Sequence, residues 1–179
     1  MSVGVIGAGA FGSALAVAMA KGGAEVRLWA RSAEHVAQMT VSRKNAKYLP
    51  GVKLPDTLTP ISNLADLASV DAVLLALPAQ QSDPFLSSFC ANLPKAPLVL
   101  CAKGIDAHYF ATQTDIAQRH CTHPLAVLSG PGFAGEIARG LPAALVLACD
   151  NPQLGQTLQN KHLTSNLHLH QMQLVWYNL

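Results

Sequence analysis

The chain has 179 residues, enough for one domain with at most a short appendage. Half of its residues are hydrophobic and only 12% are charged, a balance that excludes a disordered chain and implies apolar surface meant for a partner, ligand or further domain. A net charge of +2 is too small for nucleic-acid binding driven by phosphate neutralisation, and no apolar run reaches the roughly 18 residues of a membrane-spanning helix.

Val3 to Ala20 is mostly apolar, but Met1-Ser2-Val3 carries no Lys or Arg, so a secretory leader is disfavoured. Val3 to Ile6 reads as a strand, Phe11 to Lys21 as an alanine-rich helix, Glu25 to Trp29 as a second strand and Glu34 to Met39 as a second helix. Asn45 to Thr59, with two prolines and Gly51, reads as loop. Asn63 to Ala68 reads as a short helix capped by Ser62. Four apolar runs follow: Ala72 to Leu77, Leu98 to Ala102, Leu125 to Leu128 and Ala144 to Leu147. Each has the character of a parallel strand covered on both faces, with helical stretches near 109–119 and 133–139. This alternation predicts an α/β, Rossmann-type doubly wound, mainly parallel sheet over residues 1–159. Residues 160–179 break the rhythm and form a tail of uncertain structure.

Gly7-Ala8-Gly9-Ala10-Phe11-Gly12 fits Gly-x-Gly-x-x-Gly between a strand and a helix, the context that a dinucleotide-binding turn requires. Gly7 permits the tight turn. Gly9 lets a pyrophosphate approach the backbone, and Gly12 lets the helix pack close to the strand. The helix N-terminus then offers amide groups to phosphate. An NAD-specific site usually has an acidic residue after the second strand. Arg31 stands there instead and suits the 2′-phosphate of NADP. Lys103 follows one parallel strand, and Ser129 to Ala134 follows the next. Ligands in such sheets sit beyond the carboxyl ends of the strands, so both loops belong to the same active edge.

Several segments resemble the bacterial NAD(P)-dependent glycerol-3-phosphate dehydrogenase family. They are 5–16, Val26 to Arg31, Asn45 to Pro50, Ala102 to Asp106, and 128–142, and the likeness spans about residues 3–150. The resemblance implies hydride transfer between NADH or NADPH and dihydroxyacetone phosphate, giving sn-glycerol 3-phosphate for phospholipid synthesis, in the cytoplasm. It implies that Ala10, Phe11, Arg31, Lys103 and Ala134 contact the cofactor. Lys103, Gly130 and Gly132 would meet the substrate, with Lys103 the candidate catalytic residue.

This chain departs from the family pattern at Gly132, where Ser or Thr is usual, and at Ala79, where Ser is common. Family members are about twice as long and carry a helical C-terminal domain with the general acid–base lysine. The expectation is therefore a truncated form, with residues 160–179 a frame-shifted or truncated end. Such a loss removes a proton donor worth roughly 10²–10⁴ in rate. The rivals are a catalytically silent NAD(P)-binding remnant and another Rossmann reductase of ketopantoate or opine type. Self-association as a homodimer stays open.

Cys90, Cys101, Cys121 and Cys149 form no Cys-x-x-Cys pair and read as reduced, buried, small hydrophobes. His168-x-His170 with His162 reads as scattered polar residues rather than a metal site, and His120-Cys121-Thr122-His123 as a helix end and loop. No Gly-x-Ser-x-Gly elbow is present.

Overall fold

The computed structural model of the chain describes residues 1–162 and 167–172. In chain order the elements are β1 (Ser2–Ile6), α1 (Ala10–Lys21), β2 (Glu25–Trp29), α2 (Ala33–Ser42), β3 (Leu58–Ile61), β4 (Ala72–Leu75) and α3 (Ala79–Phe89). Then come β5 (Leu98–Leu100), α4 (Gln113–His120), β6 (Leu125–Ser129), α5 (Ala134–Arg139), β7 (Ala143–Cys149), α6 (Pro152–His162) and β8 (Leu167–Met172). The sheet runs β3-β2-β1-β4-β5-β6-β7-β8. The first six strands of the chain are parallel, and the order reverses direction between β1 and β4, which opens a crevice at their carboxyl ends.

The apolar runs are continuous because successive side chains feed two cores. On β4, Ala72 and Leu74 point to one face and Val73 and Leu75 to the other. On β5, Val99 joins the first face, while Leu98 and Leu100 join the second. The first face is covered by α1, α2, α5 and α6 through Leu15, Met39, Ile137 and Leu158, and the second by α3 and α4 through Phe85, Leu86 and Ile116. Each such fully buried large side chain contributes about 1.5–3 kcal/mol. α1 is buried from Gly12 through Ala20, so its alanines let it lie close against the sheet and α5 at once.

The structure corrects the expected pattern in several places. β3 falls partly inside the stretch read as loop. Pro60 disguised it, yet Pro60 is tolerated because β3 is an edge strand that pairs only with β2. α3 carries Pro84 in its interior and escaped the sequence reading for that reason. The short helix after β3 is a 3₁₀ turn over Leu64–Leu67, capped by Asn63 rather than Ser62. The run at 144–147 belongs to β7, which is antiparallel to β6, not parallel. Cys90 and Cys121 form a disulfide; Cys101 and Cys149 are the free, buried thiols. α6 (Pro152–His162) crosses the expected boundary between residues 159 and 160, and β8 pairs in parallel with β7. The rest of the 160–179 tail, and the side chains of His162, His168 and His170, lie outside the described residues.

Candidate functional site

β1 delivers its chain into the glycine turn. Gly7 has φ +114°, and a Cβ there would lie 2.5 Å from the Ala76 carbonyl oxygen, so only glycine fits. A Cβ on Gly12 would overlap the Gly7 carbonyl oxygen, so α1 rests directly on the turn. Gly9 differs. It is the N-cap of α1, no side chain caps the helix there, and a Cβ would meet nothing within 4 Å. Open space thus lies before the first amide groups of a twelve-residue helix. An anionic pyrophosphate fits this cradle in both charge and room.

The turn is held from behind by Asn45, which is almost fully buried. Its Nδ2 donates to the Ala8 carbonyl at 2.9 Å and to Ser13 Oγ at 2.8 Å. Its Oδ1 lies 3.0 Å from His35 Nε2 and also accepts from the Tyr48 amide at 3.4 Å. A carboxamide oxygen only accepts, so His35 carries its proton on Nε2 in this arrangement. One amide side chain therefore ties together the glycine turn, α1, α2 and the loop after α2.

In front of the turn lies a cleft of about 1040 Å³, lined by Gly7, Gly9, Trp29, Arg31, Tyr48 and Phe85 among others. That volume suits a large cofactor. Trp29 packs against Phe85 with ring centroids 5.5 Å apart and donates its indole N–H to the Ser62 carbonyl at 3.0 Å. Phe89 stands beside Phe85, one helical turn on, at 5.1 Å. Arg31 is exposed on the rim, beside the N-cap of α2, where Ser32 Oγ accepts from the His35 amide.

Of the residues singled out in the sequence, Gly7, Gly9 and Arg31 line this cleft, and Ala10, Phe11 and Gly12 begin α1 beside it. Lys103, Gly130, Gly132 and Ala134 do not line it; they stand on the neighbouring loops after β5 and β6. Lys103 meets the turn through Phe11. Lys103 Nζ lies 5.5 Å from the Phe11 ring centroid and donates to the Gly130 carbonyl at 3.2 Å.

Gly130 has φ +149°, and a Cβ there would press on the β7 backbone, 2.9 Å from the Ala144 oxygen. Its glycine is thus required by the close passage of β7. A Cβ on Gly132 would come within 2.9 Å of Ile137 Cδ1, so a serine at this place would have to displace that methyl. Ala134 opens α5, which packs on α1; Lys21 Nζ donates to the Ala138 carbonyl at 2.8 Å across that contact.

Sequence reasoning gave no role to Asn45, Trp29, Tyr48, Phe85 or Phe89. Asn45 and Tyr48 sit inside a stretch already noted for its resemblance. The spacing of Phe85 and Phe89 marks one helix face, but Pro84 hid the helix.

Strand order, glycine turn and cleft together define a Rossmann-type dinucleotide-binding domain. The model of the NAD-dependent glycerol-3-phosphate dehydrogenase N-terminus matches residues 2–155, and the chain belongs to that family. It is 45% identical over 158 residues to glycerol-3-phosphate dehydrogenase (NAD(P)+) of Caulobacter vibrioides, covering 87% of this chain and 48% of the relative. It is 43% identical over 171 residues to the enzyme of that name from Roseobacter denitrificans, covering 95% of this chain and 53% of the relative. The chain therefore spans about half the length of the curated relatives it matches.

Among solved structures, glycerol-3-phosphate dehydrogenase from Coxiella burnetii superposes with a TM-score of 0.89 at 28% identity. The match covers 96% of this chain and 53% of that one. A ketopantoate reductase from Ralstonia eutropha, with a TM-score of 0.65 at 18% identity, shares the fold alone.

Proposed function

We propose that this chain is the cofactor-binding half of an NAD(P)-dependent sn-glycerol-3-phosphate dehydrogenase. The reaction it serves passes a hydride between NAD(P)H and dihydroxyacetone phosphate. The observation that carries this reading is the convergence of an open glycine cradle at Gly9, a cationic rim at Arg31, and Lys103 set against Phe11 and Gly130.

In this reading, the uncapped amide groups of α1 and the bare backbone at Gly9 hold the pyrophosphate, while Gly7 and Gly12 let the turn and helix close up behind it. Ala10 and Phe11 form the near wall. Arg31 pairs with a 2′-phosphate or hydroxyl at the adenosine end. When bound, the nicotinamide supplies the hydride. Ala134 would lie against the cofactor. Lys103 attracts the phosphate-bearing substrate and polarises its carbonyl, with Gly130 fixing the ammonium through its carbonyl oxygen. Gly130 and Gly132 lie along the substrate.

The exposed Phe110 and Phe133, 83% and 76% accessible, stand on the loops around Lys103. Large apolar side chains this exposed fit a face that a further domain or a partner covers. Cytoplasmic location and homodimer formation belong to the same proposal; fractionation and light scattering test them.

The test is a titration of the purified chain with NADPH, followed by dihydroxyacetone-phosphate-dependent NADPH oxidation. Binding is expected at micromolar or tighter affinity. Turnover would place the chemistry within these residues, and binding without turnover would assign the proton donor to residues beyond them. Absence of binding overturns the proposal.

A further inference from the structure

α3 and α4 lie side by side on the second face of the sheet and end at the same place. Cys90 follows α3, Cys121 follows α4, and a disulfide joins them with Cα atoms 6.0 Å apart. His123 stands beside this pair. Its Nε2 is 2.9 Å from the Pro94 carbonyl oxygen, and its Nδ1 is 3.7 Å from Cys90 Sγ. A carbonyl oxygen only accepts, so Nε2 bears the proton and Nδ1 turns its lone pair toward the sulfur. This is the tautomer of a metal-bound histidine, whose other nitrogen donates to a carbonyl that fixes the ring. None of these residues lines the dinucleotide cleft.

We infer that, once the disulfide is reduced, Cys90, Cys121 and His123 form a binding site for a thiophilic divalent cation, zinc being the best fit. The three ligand atoms lie within 4.8 Å of one another. Tetrahedral zinc, with Zn–S about 2.3 Å and Zn–N about 2.05 Å, sets sulfur and nitrogen about 3.6 Å apart. The observed separation of 3.7 Å is already that of a ligand edge. Both cysteines are buried and His123 is half-buried, so the two sulfurs are shielded from solvent, and water would complete a four-coordinate site.

The chemistry balances. A dithiol reductant gives two electrons and two protons to the Cys90–Cys121 bond and leaves as its own disulfide, and the two cysteines become thiols. The cation then displaces both thiol protons to solvent, and His123 Nδ1 adds its lone pair. The cluster thus joins the ends of α3 and α4 in either redox state, by a disulfide or by a metal.

The test uses the full chain, oxidised or reduced with a phosphine that is then removed. Zinc is titrated against a chromophoric chelator, and cobalt is added as a spectroscopic probe. The reduced chain is expected to take up one zinc and to show thiolate-to-cobalt charge-transfer absorption, and the oxidised chain neither. Cys121→Ser should abolish the band. His123→Gln, checked for its fold by circular dichroism, should weaken zinc about tenfold or more. A Cys101→Ser, Cys149→Ser chain should bind as the parent does. Equal zinc binding by oxidised and reduced chain, or by Cys121→Ser, would overturn the assignment, as would no binding by the folded, reduced parent.

Discussion

Replacing Asn45 by Ala probes the support of the glycine turn. The substitution opens little volume, so its effect comes from hydrogen bonds. Two buried groups lose their donor: the Ala8 carbonyl, at 2.9 Å, and Ser13 Oγ, whose residue is fully buried. Leaving a buried polar group unsatisfied costs about 1–3 kcal/mol. Ser13 Oγ loses only its accepted bond and keeps its own O–H as a donor, so the sum is set nearer the lower end, about 2–4 kcal/mol. With a urea slope of about 2 kcal/mol per molar, the unfolding midpoint should fall by about 1–2 M. Asn45→Asp should do at least as much harm, since it keeps the size, loses both N–H donors and aims a charge at the Ala8 carbonyl.

A double-mutant cycle with Ser13→Ala should give a coupling of about 0.5 kcal/mol or more. NADPH affinity should drop by a larger factor than stability alone explains, measured well below the unfolding midpoint, because the turn loses its fixed shape. A midpoint within experimental scatter of the parent, with unchanged affinity, would refute the claim that Asn45 holds the turn.

Three other outcomes follow from the same geometry. Arg31→Asp should weaken NADPH by about 10–100-fold and NADH far less, by calorimetric titration, since a charged hydrogen bond is worth about 1.5–3 kcal/mol; equal effects on both would remove Arg31 from the site. Gly130→Ala should lower the melting temperature more than Gly104→Ala. Both have positive φ, but a Cβ at Gly130 also meets the β7 backbone, whereas at Gly104 it meets nothing within 4 Å. Full burial pushes the Cys101 thiol well above its ordinary range. In the folded chain it should therefore resist alkylation by iodoacetamide at mildly alkaline pH, and react once urea exposes it; mass spectrometry of the peptide reads the difference.

The glycine turn was legible because its three glycines meet constraints that act within a few residues: a positive φ at Gly7, an open approach at Gly9 and a backbone contact at Gly12. The parallel core strands were legible because burial on both faces demands unbroken apolar runs. Features that depend on distant pairing were not. Pro60 and Pro84 argue locally against a strand and a helix. An edge position excuses the first, and packing of Phe85 and Leu86 on the second core sustains the helix around the other.

The direction of β7 is hidden because AALVLAC is apolar throughout, although its burial alternates as in a strand covered mainly on one face. Cys90 and Cys121 are 31 residues apart, and only the shared end of α3 and α4 brings them together. Asn45 is an ordinary loop asparagine until the fold sets it against Ala8 and Ser13, 37 and 32 residues away.

The most direct test of the account is Gly9→Ala in the dinucleotide titration. The added methyl meets no protein atom within 4 Å and φ is −74°, so the chain should fold and lose about 1 kcal/mol or less as an N-cap change. The methyl nevertheless occupies the space in which a pyrophosphate would approach the α1 amide groups. A folded variant that binds NADPH at least tenfold more weakly than the parent is the predicted result. A folded variant with parental affinity would contradict the account, because the cofactor would then lie elsewhere than on this turn.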